Sequence, residues 1–477
     1  MNKEEIKSKI KNDSIVLSLD GSEKECEKVI YSLGVAFSDW MKDKLVSDEK
    51  DISVAIGYDE TDASLKVKET LFSALDFTNA TVYDCKKTFV GAMYLTIISE
   101  NANGGIFVSF LQGSNSIKLE FISRIGYLSE KQLCQVADFF ENTKTLHTFS
   151  REPRVSNSLK IFAENIRQSF CRAINSTDFS RPLRGLKFVV DSSGSVGDYF
   201  VNLVLLPLGA EVVEIRDENL IQKQCNNVCA NIGFKFSDDF SGLKVYSKKY
   251  GELTKEAFTY LLLSSLHEEK NEAVILLNYP VTPKMRNLIK DENINFEYCD
   301  GTIFNLIEKQ NEMNDSGINC PAVFSDNGVC AFHSNHGMTD PGYLVYKIIL
   351  KIIALRDEDK NIDGLLDEIY NDFDGWKMMI ESFDKEGYAK TVMSAFEGYS
   401  LKNPKWITEC EDNIIRNKTD KFVFEIENVD NEYLKIKIQA VNIKVKYLIL
   451  REIYLYFSIF TSLNFEELEG VFNDDIY

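Results

Sequence analysis

Residues 186–215 read LKFVVDSSGSVGDYFVNLVLLPLGAEVVEI, and this stretch decides the fold. A β-branched, mostly apolar run passes through a turn rich in glycine and serine into a helical pattern, which a second β-branched run follows. Such an apolar run is typical of a strand buried on both faces of a parallel sheet. Gly194 and Gly197 lack the GxGxxG spacing of a dinucleotide site, so we expect a tight turn for strand–helix packing. The stretch predicts a β-α-β unit.

The same alternation occurs on both sides of this stretch. On the N-terminal side, ISVAIGYDETD (52–62) leads into the helical pattern SLKVKETLFSALDF (64–77). On the C-terminal side, EAVILLNYP (272–280) precedes a second strand pattern in FEYCDG (296–301) and the long apolar helix YLVYKIILKIIAL (343–355). The sequence therefore predicts three α/β units with parallel sheets.

The chain beyond residue 361 has a different pattern. It is helix-rich and acidic, and then reads FVFEIENVDNEYLKIKIQA over residues 422–440. Leu434, Ile436 and Ile438 alternate with polar residues, which is the period of a half-exposed strand in an antiparallel sheet. We therefore predict a fourth, α+β domain.

Length and pattern both indicate four domains. The chain has 477 residues, which corresponds to three or four folded units at about 100–200 residues each. We place three similar α/β domains at residues 1–155, 156–242 and 243–360. The α+β domain is placed at 361–477.

Charge and hydropathy limit the partners. The 54 basic and 74 acidic side chains give a net charge of −20, which repels nucleic acid and anionic lipid. The longest late apolar run, residues 453–465, is shorter than the roughly 18–20 residues of a membrane span. The N-terminal segment MNKEEIKSKIKND is charged, unlike a secretory signal. We expect a cytoplasmic protein that binds neither nucleic acid nor membrane.

Cysteine and histidine spacing offers no convincing metal motif. Ten cysteines are too sparse for a disulfide scaffold and are expected as small core residues. Cys225 and Cys229 lack a second pair, and His333 and His336 form an HxxH without acidic ligands nearby. We expect no zinc site at either pair, and nothing specific nominates a Ser-His-Asp triad.

Residues 181–215 resemble the second domain of the α-D-phosphohexomutases, the phosphoglucomutase/phosphomannomutase family. VAIGYDETDAS (54–64) and GGIFVSF (104–110) fall in the order of the family's first domain. Residues 230–253 resemble the start of its third domain, and residues 422–440 resemble its fourth. The resemblance covers nearly the whole chain. It implies four domains around a central cleft, three of which share one α/β topology.

The resemblance also implies a chemistry. Active members of the family move a phosphoryl group between the 1- and 6-oxygens of a hexose phosphate through a bisphosphate intermediate. A serine carries the phosphoryl group, and Mg²⁺ balances its charge. If this chain is active, the resemblance therefore implies Mg²⁺ as cofactor and a hexose phosphate as substrate. Four loops do the work, and each can be compared with what phosphoryl transfer requires.

The first loop loses its nucleophile. The resemblance places Leu111 where a Thr-Ala-Ser-His-Asn-Pro-like loop has its serine. A leucine side chain cannot be phosphorylated. Ser114 lies in the same loop, but it can replace the serine only if a gap shifts the alignment.

The second loop loses most of its metal ligands. An Asp-Gly-Asp-x-Asp-Arg-like run aligns with residues 237–242, where Asp239 is the one expected carboxylate that remains. Ser237 and Ser241 replace the other two. Mg²⁺ is usually held by carboxylates together with substrate phosphate, so this set should bind it weakly. Asp238 could substitute, although an Asp-Asp pair in a turn is more often solvated.

The third loop keeps little of the family's sugar-reading sequence. Asp326 and Asn327 can still hydrogen-bond hydroxyl groups and are the candidate substrate-binding residues. Asp-Asn-Gly between two strands is also an ordinary turn sequence, and that interpretation is favoured.

The fourth loop reverses its charge. The arginine of an Arg-Pro-Ser-x-Thr-Glu-Pro-like phosphate clamp aligns with Ile426, while Glu427, Asp430 and Glu432 add carboxylates. A phosphate would meet like charge there. We therefore expect the surface that faces the site to be neutral to acidic.

These losses lead to a first hypothesis with alternatives. The chain is expected to be a phosphohexomutase-like protein without phosphoryl-transfer activity, which acts by binding a protein partner, a second copy of itself or a weak ligand. A divergent but active phosphoglucomutase or phosphomannomutase is the second hypothesis. A different enzyme acting on a sugar-like substrate is the third, and no residue supports it.

Overall fold

The computed structural model describes most of the chain, namely residues 1–44, 52–143, 145–174, 181–192, 194–237, 240–266, 272–279, 281, 283–325, 328–370, 374–379, 388–411, 414–419, 422–429, 433–440 and 443–458. These residues form two compact units. The first unit comprises Met1–Tyr279 and Ile294–Asp363, and the second comprises the described residues of Pro280–Asn293 and Gly364–Tyr477.

The N-terminal part of the first unit is built on one mixed sheet. Its described strands are β1 (Ile10–Lys11), β2 (Ser14–Ser18), β3 (Ser53–Tyr58), β4 (Thr81–Lys87), β5 (Gly104–Leu111), β6 (Ser116–Ser123), β7 (Gly126–Tyr127) and β8 (Arg154–Val155). Its helices are α1 (Lys3–Lys7), α2 (Glu23–Lys44), α3 (Asp62–Phe77), α4 (Val90–Ser99), α5 (Glu130–Asp138) and α6 (Ser158–Ala173). The strand order is β1-β2-β6-β5-β3-β4-β8, with β7 paired to β6.

The second sheet contains residues 186–215. Its strands are β9 (Lys187–Asp191), β10 (Glu211–Ile215), β11 (Ile232–Phe236), β12 (Leu243–Ser247) and β13 (Gly251–Glu252). Its helices are α7 (Ser195–Phe200), which continues as a π-helix over Val201–Leu205, and α8 (Ile221–Asn227). The order β10-β9-β11-β12-β13 carries strand pairing past residue 242, where we placed a domain boundary.

The third sheet has the order β15-β14-β16-β17. Its strands are β14 (Val274–Leu277), β15 (Asn295–Tyr298), β16 (Ala322–Phe324) and β17 (Cys330–Phe332). The helices of this part of the chain are α9 (Lys255–Leu263), α10 (Pro283–Asp291), α11 (Ile303–Asp315), α12 (Pro341–Asp357) and α13 (Ile362–Tyr370). Helix α10 belongs to the second compact unit.

These three sheets share one topology. The first strand of each motif (β3, β9 or β14) lies between the second and third, and both pair with it in parallel. A fourth strand then pairs antiparallel with the third. The predicted α/β units with parallel strands are confirmed.

The second compact unit is an antiparallel sheet with helices, as the alternation in residues 422–440 predicts. Its strands are β18 (Asp374–Met379), β19 (Ile407–Glu411), β20 (Ile414–Lys418), β21 (Phe422–Val429) and β22 (Tyr433–Ala440), in the order β18-β22-β21-β20-β19. Helices α14 (Tyr388–Lys402) and α15 (Ile443–Ser458) supply Phe396, Ile453 and Phe457 to its core. The α+β prediction is confirmed.

The turn after β9 depends on a close backbone approach. A Cβ atom on Gly197 would lie 2.1 Å from the carbonyl oxygen of Ser192, so any other residue there would have to move the backbone. The glycine therefore serves strand–helix packing, as its sequence context predicts.

Among the described residues, no helix has the length and apolar character needed to span a bilayer.

Candidate functional site

All four loops that carry the family's chemistry lie between antiparallel strands. They connect β5 with β6, β11 with β12, β16 with β17, and β21 with β22. In each hairpin, strand pairing runs close to the tip. The last pairs are Leu111 with Ser116, Phe236 with Leu243, Phe324 with Cys330, and Val429 with Tyr433. Three to six residues therefore separate the last paired residues of each hairpin, at the positions where the resemblance predicts catalytic segments.

The first hairpin places Leu111 as the last residue of β5, and 37% of its surface is exposed. Ser114 is exposed in the short 3₁₀ turn that follows, and its Oγ lies 3.5 Å from the carbonyl oxygen of Leu111. Ser116 in turn donates to the carbonyl oxygen of Ser114 at 2.9 Å. Both hydroxyl groups thus make local turn contacts, with no neighbouring base among these contacts.

Two aspartates hold this hairpin in place. The Asp59 carboxylate, which is buried, accepts the Phe110 amide at 2.6 Å and both the amide and hydroxyl of Thr61. Asp20 accepts the Asn115 side-chain amide at 2.7 Å. Asp59 therefore holds the end of β5 in place.

Nothing in the sequence indicated the contact made by Asp20. The segment LSLDGSEKECEKV has no counterpart in the family's N-terminal loop, so it offered no position to align. In the structure, Leu19 also donates its amide to the carbonyl oxygen of Asn115 at 2.9 Å. An Asp and an Asn separated by most of a domain carry no local signal that could have predicted this contact.

The second hairpin uses its serines as turn caps. The Ser237 Oγ accepts the amides of Ser241 at 2.9 Å and Gly242 at 2.8 Å, and the Ser237 amide donates to the carbonyl oxygen of Gly242. An oxygen engaged by two amide donors is a poor ligand for a hard cation. The described donors therefore do not fit Mg²⁺. Asp238 and Asp239, the predicted vestigial ligand, lie outside the described residues.

Phe240 inserts an aromatic ring where the family's loop has its metal-binding run. Its ring is 1% exposed and lies 4.6 Å from Phe236 and 4.7 Å from Phe89, measured between centroids. Phe200 lies 6.0 Å away. Phe240 adopts a φ of 54°, a left-handed conformation that is costly for a bulky side chain. Ring packing therefore compensates for backbone strain in this turn.

Backbone contacts hold the described residues of the third hairpin. The Ser325 amide donates to the carbonyl oxygen of Val329 at 2.9 Å, and Gly328 has a φ of 78°. The Asn278 side-chain amide donates to the Ser325 hydroxyl at 3.1 Å. Asp326 and Asn327, the predicted sugar-binding residues, lie outside the described residues.

The fourth hairpin buries the position of the phosphate clamp. Ile426 is fully buried and belongs to the core of the second compact unit. On the neighbouring strand, Arg416 forms an ion pair with Glu425. Glu427 is half-buried, and residues 430–432 lie outside the described part of the chain. The site position thus holds an aliphatic core residue where a guanidinium would be needed.

A cavity of about 450 Å³ lies beside the second and third hairpins, within the first compact unit. Its wall carries Lys235, Lys244 and Lys255 together with Glu252 and Asp340. Lys235 and Lys244 are paired with Glu218, so the three lysines of this wall stand beside three carboxylates. The neutral to acidic surface expected around the whole site stays a prediction.

The lysines of this wall belong to a defined network. Lys235 and Lys244 are direct cross-strand neighbours, which would repel each other without a counterion. Glu218 pairs with both, and Tyr246 donates to it at 2.7 Å. These contacts lower the pKa of Glu218 to about 2, with the hydrogen bond from Lys235 as the largest cause.

The Asp340 carboxylate caps helix α12. It accepts the amides of Gly342 at 2.9 Å and Tyr343 at 3.2 Å, and it is buried. Burial raises the pKa of Asp340 to about 7.

The histidine and cysteine pairs do not form metal sites in the described structure. His333 and His336 flank a short 3₁₀ turn, and burial together with His333 lowers the pKa of His336. Cys225 is buried and Cys229 is exposed, both as free thiols. Among the described residues, no group of three or more His, Cys, Asp or Glu side chains could hold a metal ion.

Comparison with solved structures identifies the fold. A phosphoglucomutase/phosphomannomutase family protein from Burkholderia thailandensis is similar with a TM-score of 0.65 and 15% identity, over 94% of this chain and 97% of that one. Parafusin, a phosphoglucomutase from Paramecium in its open form, is similar with a TM-score of 0.61 and 11% identity, over 96% of each chain. The chain therefore has the phosphohexomutase fold.

Comparison by sequence adds no further relative. No protein-family model matches the chain, and no curated protein matches it.

Proposed function

We propose that this chain is a phosphohexomutase-fold protein that has lost phosphoryl transfer and acts through binding. The observation that carries the proposal is the first hairpin. Leu111 stands at the end of β5, paired with Ser116, at the position that the resemblance assigns to the phosphate-carrying serine. An aliphatic side chain there offers no nucleophile.

The other hairpins support the same proposal. The Ser237 hydroxyl caps its own turn, and Ile426 fills the core of the second unit. The change at Ser237 removes a metal ligand, and the change at Ile426 removes the phosphate clamp. Several independent losses are harder to compensate than one, because mutase chemistry needs all the parts in place at once. The chain is proposed to act in the cytoplasm, on a protein partner, a second copy of itself or a small ligand.

A turnover assay tests the proposal. Purified protein is given glucose 1-phosphate, Mg²⁺ and a trace of glucose 1,6-bisphosphate, and formation of glucose 6-phosphate is followed. We expect no product above that of a heat-inactivated sample, while an active phosphoglucomutase in the same buffer serves as the positive control. Turnover at about 1–1000 per second would establish the alternative, a divergent but active mutase.

Mass spectrometry locates the nucleophile if turnover is found. The alternative requires phosphorylated Ser114, because this is the exposed hydroxyl group in the first hairpin. The loss-of-function proposal expects this peptide to remain unmodified after incubation with the bisphosphate.

A further inference from the structure

The cavity beside the second and third hairpins has the chemistry of a ligand site. Its volume of about 450 Å³ falls within the roughly 300–1,000 Å³ typical of small-molecule sites. We propose that it binds a small amphipathic acid, a molecule with an aliphatic or aromatic body and one acidic headgroup. The inference builds on the proposed loss of mutase chemistry and names a ligand class for the binding function.

The floor of the cavity selects an apolar body. The side chains that line it include Phe236, Val245, Leu253, Phe258 and Leu344, all of them buried. Water against such a surface finds few hydrogen-bond partners, so covering the surface with an apolar ligand body is favourable. A hexose phosphate would instead place some of its hydroxyl groups against these apolar side chains, where they would lose hydrogen bonds to water.

The wall of the cavity selects an acidic headgroup. Glu218 and Glu252 hold the Lys244 ammonium at 2.7 and 3.4 Å, and the Lys255 ammonium lies over the Tyr279 ring at 4.8 Å. These contacts fix the two cations before a ligand arrives, which reduces the entropy cost of binding.

Asp340 determines which end of the cavity takes the headgroup. Its carboxylate is engaged by the first amides of α12, so it does not attract a cationic ligand strongly. An acid next to it would be repelled at a pH at which Asp340 is ionised. Glu218 and Glu252 already balance the charges of Lys235 and Lys244. The headgroup is therefore assigned to the Lys255 ammonium, with the apolar body on the floor.

Two probes with the same apolar body test the assignment. Calorimetry on the full chain compares 4-phenylbutyrate with 4-phenylbutan-1-ol. We expect saturable binding of the acid, with an affinity about tenfold higher than that of the alcohol, because only the acid can form a charge-assisted contact. Lys255→Gln should reduce the ratio to less than about twofold, whereas the exposed Lys131→Gln control should leave it unchanged.

A second variant tests the location. Ser241 lines the cavity and is exposed, so Ser241→Trp should obstruct it without disturbing the core and should weaken both probes by about tenfold. An unchanged melting temperature shows that the variant is folded. Equal affinity for acid and alcohol, absence of saturable binding, or full binding by folded Ser241→Trp would each overturn the inference.

The two proposals fail separately. Absent binding combined with absent mutase turnover would refute the acid site and leave the loss of catalysis standing. Mutase turnover would refute the loss of catalysis whatever the probes show.

Discussion

Leu111 is one residue in a hairpin that is shaped by other contacts. Asp59 holds the amide of Phe110, and Asp20 holds the side chain of Asn115. A hydroxyl group placed at residue 111 would still depend on a metal and a phosphate clamp, and Ser237 and Ile426 stand at positions that the resemblance assigns to them. Leu111 is therefore the clearest departure from the family's catalytic sequence. It is not the only change that mutase activity would have to overcome.

Leu111→Ser alone should not restore mutase activity. The substitution supplies the hydroxyl, yet Ser237 still caps its turn and Ile426 still fills a core position. Product formation from glucose 1-phosphate with Mg²⁺ and bisphosphate should stay at the heat-inactivated level. Recovery of turnover above about 1 per second would show that the other loops remain competent.

At residue 240, the glycine variant should be more stable than the alanine variant, which is the reverse of the usual order. Its φ of 54° suits glycine, so Phe240→Gly should be more stable than Phe240→Ala by about 1 kcal/mol. Phe240→Ala itself should lose about 3–5 kcal/mol of unfolding free energy through the cavity it leaves. Urea unfolding measures both differences.

Phe200 provides the matched control for Phe240. It belongs to the same aromatic cluster but has a helical φ of −61°, so Phe200→Ala should be more stable than Phe200→Gly. The same order at both positions would contradict the strain assigned to Phe240.

At the scale of elements, the sequence predicted the strands and helices that hydrophobic periodicity determines. The strand-turn-helix pattern around residues 186–215 and the alternation at Leu434, Ile436 and Ile438 both correspond to observed elements. Phe240 illustrates the limit. An aromatic residue in a polar turn predicts an exposed loop, and only packing against Phe89, distant in sequence, explains why it is buried.

The start of α12 should make stability depend on pH. The pKa of Asp340 is raised to about 7, above the usual value near 4, so the folded state retains a proton that the unfolded state has lost. Its contribution is therefore complete at low pH and falls as pH rises through 4 to 7, at up to about 1.4 kcal/mol per pH unit.

Asp340→Asn isolates this dependence. Asparagine also caps helices but does not titrate. Relative to the wild type, the variant should gain unfolding free energy between pH 5 and pH 7 in urea titrations. A difference that stays constant with pH would contradict the assigned burial effect.

At the scale of the whole molecule, topology was less predictable than element type. The repeated pattern indicated three α/β units, but the shared strand order came from long-range pairing that no local window contains. The boundary at residue 242 illustrates this, because β11 pairs with β12 across it. The order that all three sheets share needed the resemblance or the structure.

Mg²⁺ should leave the stability of the whole protein almost unchanged. A ligand stabilises a protein by RT ln(1 + [L]/Kd), so 1 mM Mg²⁺ with a Kd above about 10 mM changes the melting temperature by less than about 1 °C. Differential scanning fluorimetry against an EDTA-treated sample measures the change. A rise of several degrees would mean that the second hairpin binds the metal after all.

The closed hairpins also set how fast backbone hydrogens exchange with solvent. The amides of Phe110, Ser237 and Ser325 each donate to an acceptor at the very end of a strand, at 2.6, 3.0 and 2.9 Å. In an open catalytic loop, such amides would exchange with solvent directly. Here each hydrogen bond must first break in a local opening of the structure. The amide hydrogens of these three residues should therefore exchange as slowly as those in strand interiors. Such rates would group the three residues with the stable sheets of the protein.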